Sequence, residues 1–123
     1  MQTVALTRKD LEGFAVCRVG LRSRDLWRMS TPFLAQLLKM QLSKKLDANE
    51  LSKAIDRLEE GPPSAPPRFG NEHSQRPWIV YRTHNGMNYY LAVAELNEGD
   101  RGIHRRIRAA CEFDFPFLMG HHG

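Results

Sequence analysis

Apolar residues at helical spacing mark a first helix near the start of the chain. Thr7 and Asp10 have the spacing of a capping box, in which each side chain caps the backbone N–H of the other residue. The apolar positions that follow share one helix face: Leu11, Phe14, Ala15 and Val19. Gly13 and Gly20 weaken this helix, since an interior glycine costs on the order of 1 kcal/mol. The preceding TVAL, residues 3–6, is compatible with a short opening strand.

Two further helices are predicted before residue 62. Thr31 is the expected N-cap of the second, with Pro32 in the first turn, where its missing N–H costs nothing. The wide apolar stripe of this helix predicts deep burial of Phe33, Leu34, Leu37, Leu38, Met40 and Leu42. The third begins at Asp47, with Glu50 completing a capping box, and ends at Gly61. Its core-facing positions are Leu51, Ala54, Ile55 and Leu58.

The segment PWIVYRTHNGMNYYLAVAEL predicts a β-hairpin over residues 78–95. Asn85-Gly86 indicates a type I′ turn, because both central residues of that turn need positive φ. Counting outward pairs Arg82 with Tyr89, Tyr81 with Tyr90, Val80 with Leu91 and Trp78 with Val93. One face then carries Trp78, Val80, Arg82, Tyr89, Leu91 and Val93. We expect this more apolar face to meet the helices, which leaves Tyr81 and Tyr90 side by side on the other face.

A proline-rich loop precedes the hairpin and a basic helix follows it. Residues 61–77 hold five of the seven prolines, which predicts a connector rather than a domain boundary. Asp100 is the expected N-cap of the last helix, whose inward positions are Ile103, Ile107 and Ala110. Its neighbouring stripe is Arg101, Arg105 and Arg108, flanked by His104 and Arg106. The apolar FDFPFLM after it is expected to add a strand or to seal the edge of the core.

These elements predict an α+β fold, with N-terminal helices packed on a small antiparallel sheet and a C-terminal helix. We expect a single domain over residues 1–123. It comprises a helical part at 1–60, the proline-rich loop at 61–77, and the hairpin with its helix at 78–118. Hydrophobic residues make up 41% of the chain and charged residues 26%, which is typical of globular proteins.

Charge and cysteine usage narrow the function classes. The net charge is +4, and the excess lies at the two ends of the chain, largely as arginine, whose planar guanidinium suits phosphate. No apolar run approaches the roughly 20 residues that cross a bilayer, and the charged start MQTVALTRKD argues against a signal peptide. Cys17 and Cys111 lack CxxC spacing, so we expect reduced core thiols in a cytoplasmic protein, with a disulfide between them as the alternative.

The candidate contact surface combines arginines with tyrosines. Guanidiniums can neutralise phosphates, and exposed tyrosine rings can stack on bases. The candidates are Arg82, Arg101, Arg105, Arg108, Tyr81 and Tyr90. Each also has a structural interpretation: the arginines as a solvated helix face, and the tyrosines as a cross-strand pair that stabilises the sheet. A second basic patch, Arg18, Arg22, Arg24 and Arg28 with Trp27, does not share one face.

Catalytic residues are not assigned by any motif. His84 and His104 can act as general acid or base near neutral pH, but incidental surface histidines fit as well. His121 and His122 have no Cys, Asp or Glu at ligand spacing, so no metal is expected. A glycine-rich phosphate loop, HExxH and a nucleophile elbow are all absent from the sequence, and no cofactor is expected.

TVALTRKDLEGF, the capped helices and RPWIVYRTHNGMNYYLAVAEL together resemble the RelE/ParE superfamily of bacterial toxins. The resemblance implies a small basic protein with an N-terminal strand, two helices and a curled antiparallel sheet. Many members cleave ribosome-associated mRNA, and others act on gyrase. The residues that would take functional positions are Arg82, His84, Arg105 and Arg106. The chain departs from the family where its last strand runs into AELNEGD and where the proline-rich loop is long.

Our function hypothesis is a small basic protein that binds an acidic macromolecule, RNA more than DNA, in a toxin-like role. One alternative is a protein-interaction module without catalysis, such as an immunity, antitoxin-partner or phage accessory protein. Another is a winged-helix DNA-binding protein, because two helices precede a hairpin. Against that alternative, the third helix would be the recognition helix, and it is net acidic.

Overall fold

The computed structural model describes residues 6–71, 76–95 and 97–119. The four α-helices of these ranges are α1 (Arg8–Phe14), α2 (Thr31–Leu42), α3 (Ala48–Glu60) and α4 (Asp100–Phe113). The two strands, β1 (Trp78–His84) and β2 (Met87–Ala94), form an antiparallel hairpin, which confirms the predicted α+β class. Shorter helical segments are Ala15–Val19, Ser23–Arg28 and Pro116–Met119. Most of the predicted opening strand, and His121 with His122, lie outside the described residues.

The helices α1 and α3 begin at their predicted N-caps, Thr7 and Asp47. The Thr7 hydroxyl accepts the Asp10 N–H, and the Asp10 carboxylate accepts the Thr7 N–H. After α1 the helix widens into the π-helical Ala15–Val19, which ends at Gly20, whose φ of 80° favours glycine. Asp47 caps α3, and Gly61 ends it. The predicted inward residues of these two helices are buried, apart from the half-buried Phe14.

The start and end of α2 differ from the prediction. Ser30, not Thr31, is the N-cap: its hydroxyl accepts the Phe33 N–H at 3.0 Å and donates to the Leu91 carbonyl at 2.8 Å. Thr31 is therefore the first helical residue, and its N–H, which has no partner within the helix, donates to the Asp114 carboxylate at 3.0 Å. Leu42 is 76% exposed, so its predicted burial is wrong; it is the last residue of α2, and no described element covers it.

The predicted hairpin turn is confirmed, but the strand register differs from the prediction beyond a β-bulge. Asn85 and Gly86 have φ of 52° and 77°, as a type I′ turn requires. Pairing is as predicted from the turn as far as Tyr81 with Tyr90. Leu91 is then an extra residue, so Val80 pairs with Ala92 and Trp78 with Ala94. The predicted pairs of Val80 with Leu91 and Trp78 with Val93 are therefore wrong.

Both faces of the hairpin are covered, which corrects the predicted orientation. Ile79, Tyr90 and Val93 belong to the main core with the N-terminal helices. Tyr89 and Leu91 point to the other side, into a second core made with Ala110, Cys111, Phe115 and Leu118. The tyrosine pair therefore faces the N-terminal helices, and α4 with the segment Pro116–Met119 covers the opposite face. Both aliphatic and aromatic positions of β2 are buried, so the sheet is a central layer.

Neighbouring segments lie along both edges of the hairpin. On the β1 side, the Ile79 N–H donates to the Pro67 carbonyl at 3.0 Å, and the Phe69 N–H donates to the Pro77 carbonyl at 3.1 Å. Phe69 is fully buried, so the proline-rich loop contributes to the core as well as connecting elements. On the β2 side, Met29 bridges Tyr90, and the Ser30 N–H donates to the Tyr90 carbonyl at 2.9 Å.

The C-terminal part ends in a helical turn, not in a strand. Gly99 is the N-cap of α4, one residue before the predicted Asp100. Phe115 and Leu118 of FDFPFLM are buried, so this segment seals the second core. Cys111 is buried as predicted, but Cys17 is exposed, and both thiols are free. None of the helices in the described ranges has the length and apolar character that a membrane span requires.

Candidate nucleic-acid interface

Four of the predicted arginines line one groove between α4, β1 and the C-terminal turn. Its volume is about 640 Å³. We call it the basic groove, and its lining residues are Arg82, Arg101, His104, Arg105, Ile107, Arg108, Cys111, Leu118 and Met119. No lining residue is acidic. The arrangement concentrates positive charge over an apolar floor, as anion-binding clefts do.

Three of these guanidiniums come from α4. Arg101, Arg105 and Arg108 are spaced i, i+4 and i+7, so they project from one side of the helix. All three are exposed, and none makes a hydrogen bond or ion pair with another residue in the described part of the chain. The predicted arginine stripe is therefore present and is available to an anion.

The fourth guanidinium comes from β1. Arg82 Nη1 donates to the Leu118 carbonyl at 2.7 Å, which fixes the C-terminal turn to the sheet. The remaining N–H groups of Arg82 stay at the edge of the groove, since the residue is exposed overall. Beside it, burial raises the pKa of the Cys111 thiol, although the charge of Arg82 opposes this effect.

Ion pairs connect α4 to the segment that precedes it and to the N-terminal helices. In the middle of α4, the Arg106 guanidinium pairs with the carboxylate of Glu98, which precedes the helix, and this pair lies outside the basic groove. At its end, Asp114 accepts from the Arg8 guanidinium at 3.1 Å and from the Thr31 N–H at 3.0 Å. Because its carboxylate meets the N-terminus of α2, the helix dipole also favours the contact. The arginines thus project from a helix whose position is fixed.

The predicted exposure of the tyrosine pair is wrong. Tyr90 is fully buried: its ring packs on Phe33 at 5.8 Å, and its hydroxyl donates to Glu59 Oε2 at 2.5 Å. Burial, followed by the hydrogen bond to Glu59, raises the pKa of Tyr90. Tyr81 is half-buried and packs against the same core. Neither tyrosine lines the basic groove.

Three of the four arginines in the second basic patch pair with acidic neighbours, while Arg18 is exposed and makes no ion pair with a described residue. Arg28 is 4% exposed and binds both oxygens of Glu59 at 3.1 Å, while also donating to Asp25 at 3.0 Å. Arg22 pairs with Asp25 and Asp56. Burial alone would raise the pKa of Glu59, but hydrogen bonds from Arg28 and Tyr90 outweigh it and lower that pKa. This network joins α3 to β2 and is structural.

An aromatic patch beside the basic groove was not predicted. It consists of Trp27, His84, Tyr89, Phe115 and Phe117. The Tyr89 ring is buried at its centre, 5.9 Å from Trp27 and 5.1 Å from Phe117. Trp27 is 53% exposed and Phe117 47% exposed. No periodicity reveals the patch, because its members come from three distant segments of the chain.

The site contains no group of side chains that specifies a reaction. His104 lies in the basic groove, while His84 packs on Phe117 at 4.9 Å. Over the described ranges, no three His, Cys, Asp or Glu residues cluster as a metal site requires.

No family model, curated protein or solved structure matches the chain.

Proposed function

We propose that the protein binds RNA through the basic groove. The observation that carries the proposal is the convergence of four guanidiniums from two elements on one groove without a lining carboxylate. A phosphate backbone is the polyanion that such a row of charges suits, because each neutralised phosphate releases condensed counterions. From Arg101 to Arg108 the helix rises roughly 10 Å, which allows contact with successive phosphates.

The geometry supports this reading over a winged helix. Both faces of β2 are buried, so most of the hairpin is an internal layer instead of a projecting wing. The exposed charged residues of α3 are three acids and two cations, a net negative set that would face a polyanion unfavourably: Asp56, Glu59, Glu60, Lys53 and Arg57. The arginines of the basic groove that make no ion pair within the described residues, Arg101, Arg105 and Arg108, lie on α4 instead.

A toxin-like role remains part of the proposal. Arg82 and Arg105, two of the residues that the toxin resemblance selects, line the basic groove. The other two selected residues have structural contacts: Arg106 forms an ion pair with Glu98, and His84 packs on Phe117 within the aromatic patch. The proposal is therefore one of RNA binding, and growth arrest on expression is the test of a toxin-like consequence.

The binding experiment measures anisotropy of a labelled single-stranded RNA at two salt concentrations. With three or four phosphate contacts, we expect affinity to fall about 20- to 50-fold between roughly 50 and 200 mM salt. Duplex DNA of equal length is the competing ligand. Binding that is independent of salt, or a preference for duplex DNA, contradicts the proposal; absence of RNA binding favours the protein-interaction alternative.

Charge-matched variants locate the interface. Replacing Arg101, Arg105 and Arg108 with alanine should weaken RNA binding roughly tenfold or more and flatten its salt dependence. The control replaces Arg18, Lys53 and Arg57, three exposed cations outside the basic groove, and so removes the same charge. Equal weakening by both triple variants would show that net charge, not the groove, governs binding.

A further inference from the structure

Trp27 and Phe117 are exposed rings held in fixed positions. Both contact the buried Tyr89 ring at steep interplanar angles, 82° for Trp27 and 74° for Phe117. Phe117 also contacts Phe115 and His84, at 6.0 and 4.9 Å. About half of each residue nevertheless faces solvent. A ring that is already immobilised loses little conformational entropy when a ligand covers it.

Phe117 adjoins the basic groove through β1 and the C-terminal turn, and Trp27 connects to Phe117 through the shared contact with the Tyr89 ring. Phe117 directly precedes Leu118, whose carbonyl accepts the hydrogen bond from Arg82. Arg82 and His84 lie on the same face of β1, two residues and therefore roughly 7 Å apart. One end of the row of guanidiniums is thus continuous with the exposed aromatic surface.

We propose that unpaired bases of the bound RNA stack on Trp27 and Phe117, so that the ligand is specifically single-stranded. This inference rests on the proposed function, since the phosphates of the same strand occupy the basic groove. The guanidiniums of the basic groove bind the phosphate backbone of the strand, and the two rings bind bases that are not paired. Bases in a duplex are already stacked on one another and cannot cover these rings. Stacking of this kind tolerates every base, because each base has a π face.

The chain provides a matched aromatic control. Phe113 is 81% exposed on α4 but does not line the basic groove and has no ring contact with another described residue. Trp27→Ala and Phe117→Ala should each weaken binding of a short oligouridine by about fivefold or more. Phe113→Ala should leave the affinity unchanged, and Phe117→Tyr should retain it, because tyrosine keeps a stacking ring.

Two further RNA ligands distinguish the contribution of base stacking to affinity from that of phosphate binding. An abasic RNA of equal length keeps every phosphate, so it should bind more weakly than oligouridine while retaining its salt dependence. A duplex RNA should bind more weakly than the single strand. In a Trp78→Phe background Trp27 is the sole tryptophan, and oligouridine should quench its fluorescence whereas the abasic strand should not.

The outcomes distinguish the inference from the function that it extends. Equal, salt-dependent binding of oligouridine and abasic RNA overturns base stacking and leaves the basic groove in place. Failure of both RNAs to bind overturns both proposals. Thermal unfolding of each variant checks folding, and loss of affinity in Phe117→Ala without rescue by Phe117→Tyr shows that the ring acts through packing and counts against stacking.

Discussion

The guanidinium of Arg8 lies 3.1 Å from the carboxylate of Asp114, joining the first helix to the end of the last one. Arg8 also donates to the Leu26 and Met29 carbonyls at 2.8 and 2.6 Å. Since Arg8 also donates to the Thr31 hydroxyl at 3.2 Å, a single side chain ties the helical segment Ser23–Arg28, the start of α2 and the end of α4 together. The position of the basic groove depends on this junction, because α4 carries three of its arginines.

Removing that junction should destabilise the protein. We expect Arg8→Ala to lower the free energy of unfolding by about 2–3 kcal/mol, since Asp114 and two carbonyls lose a charged donor in a partly buried site. Urea denaturation measures the change. Glu12→Ala removes only the i,i+4 pair with Arg8, in which the Glu12 side chain is 35% exposed, and should cost about 0.5 kcal/mol. A similar loss in both variants would contradict the role assigned to the junction.

Acid should weaken the network around Glu59. Because the folded-state pKa of Glu59 is lowered, its ionised form stabilises the fold above the unfolded pKa of about 4.5. That stabilisation is lost as the pH falls below this value through the folded pKa. Urea unfolding at several pH values should show the loss, and Glu59→Gln should be less stable at neutral pH with a smaller decline in acid. Parallel pH profiles for the two proteins would refute the assignment.

The thiols should react at different rates. Cys17 is exposed, whereas burial hides Cys111 and raises the pKa of its thiol, so less of the reactive thiolate is present. Alkylation of the native protein followed by peptide mass spectrometry should therefore label Cys17 first. Labelling in denaturant serves as the control and should remove the difference. Faster labelling of Cys111 would contradict its placement in the second core.

Phe69 should matter to stability although it lies in the proline-rich loop. Its ring is fully buried, so Phe69→Ala should cost about 3–5 kcal/mol through lost burial and a cavity. Pro63→Ala, in the same loop but outside the core, should cost less than about 1 kcal/mol. Thermal or urea unfolding compares them. A small effect of Phe69→Ala would mean that the loop contributes no core.

Local sequence signals correctly predicted the helices and the hairpin turn. The predicted orientation of the sheet was wrong, because it depends on a β-bulge and on tertiary packing. Thr7 and Asp47 cap backbone N–H groups within three residues, and Asn85 adopts the positive φ of the turn, so each effect can be predicted from the adjacent sequence. The Leu91 bulge leaves no such trace, because YYLAVA is apolar throughout and does not alternate. Without polar positions to mark a solvent face, the choice of which tyrosine faces the N-terminal helices depended on tertiary packing.

In the candidate site too, the residues with a local sequence signal were predicted and those brought together by the fold were not. The arginines of α4 could be grouped from sequence because one helix carries them at regular spacing, and Arg82 was added from the hairpin. The aromatic patch could not, because Trp27 and Phe117 meet only through Tyr89, which lies between them in the fold. The buried pairing of Arg28 with Glu59 was equally hidden, since 31 residues separate them.

A two-stranded ribbon ordinarily offers two rows of unpaired N–H and C=O groups to other copies of itself. Here the stretch around Pro67 occupies part of one margin, and Ser30 occupies part of the other. Proline is well suited to the first position because it has no N–H with which to recruit a further strand. The protein thereby limits the template on which fibrillar aggregates grow, even though its only described sheet is the smallest that can exist.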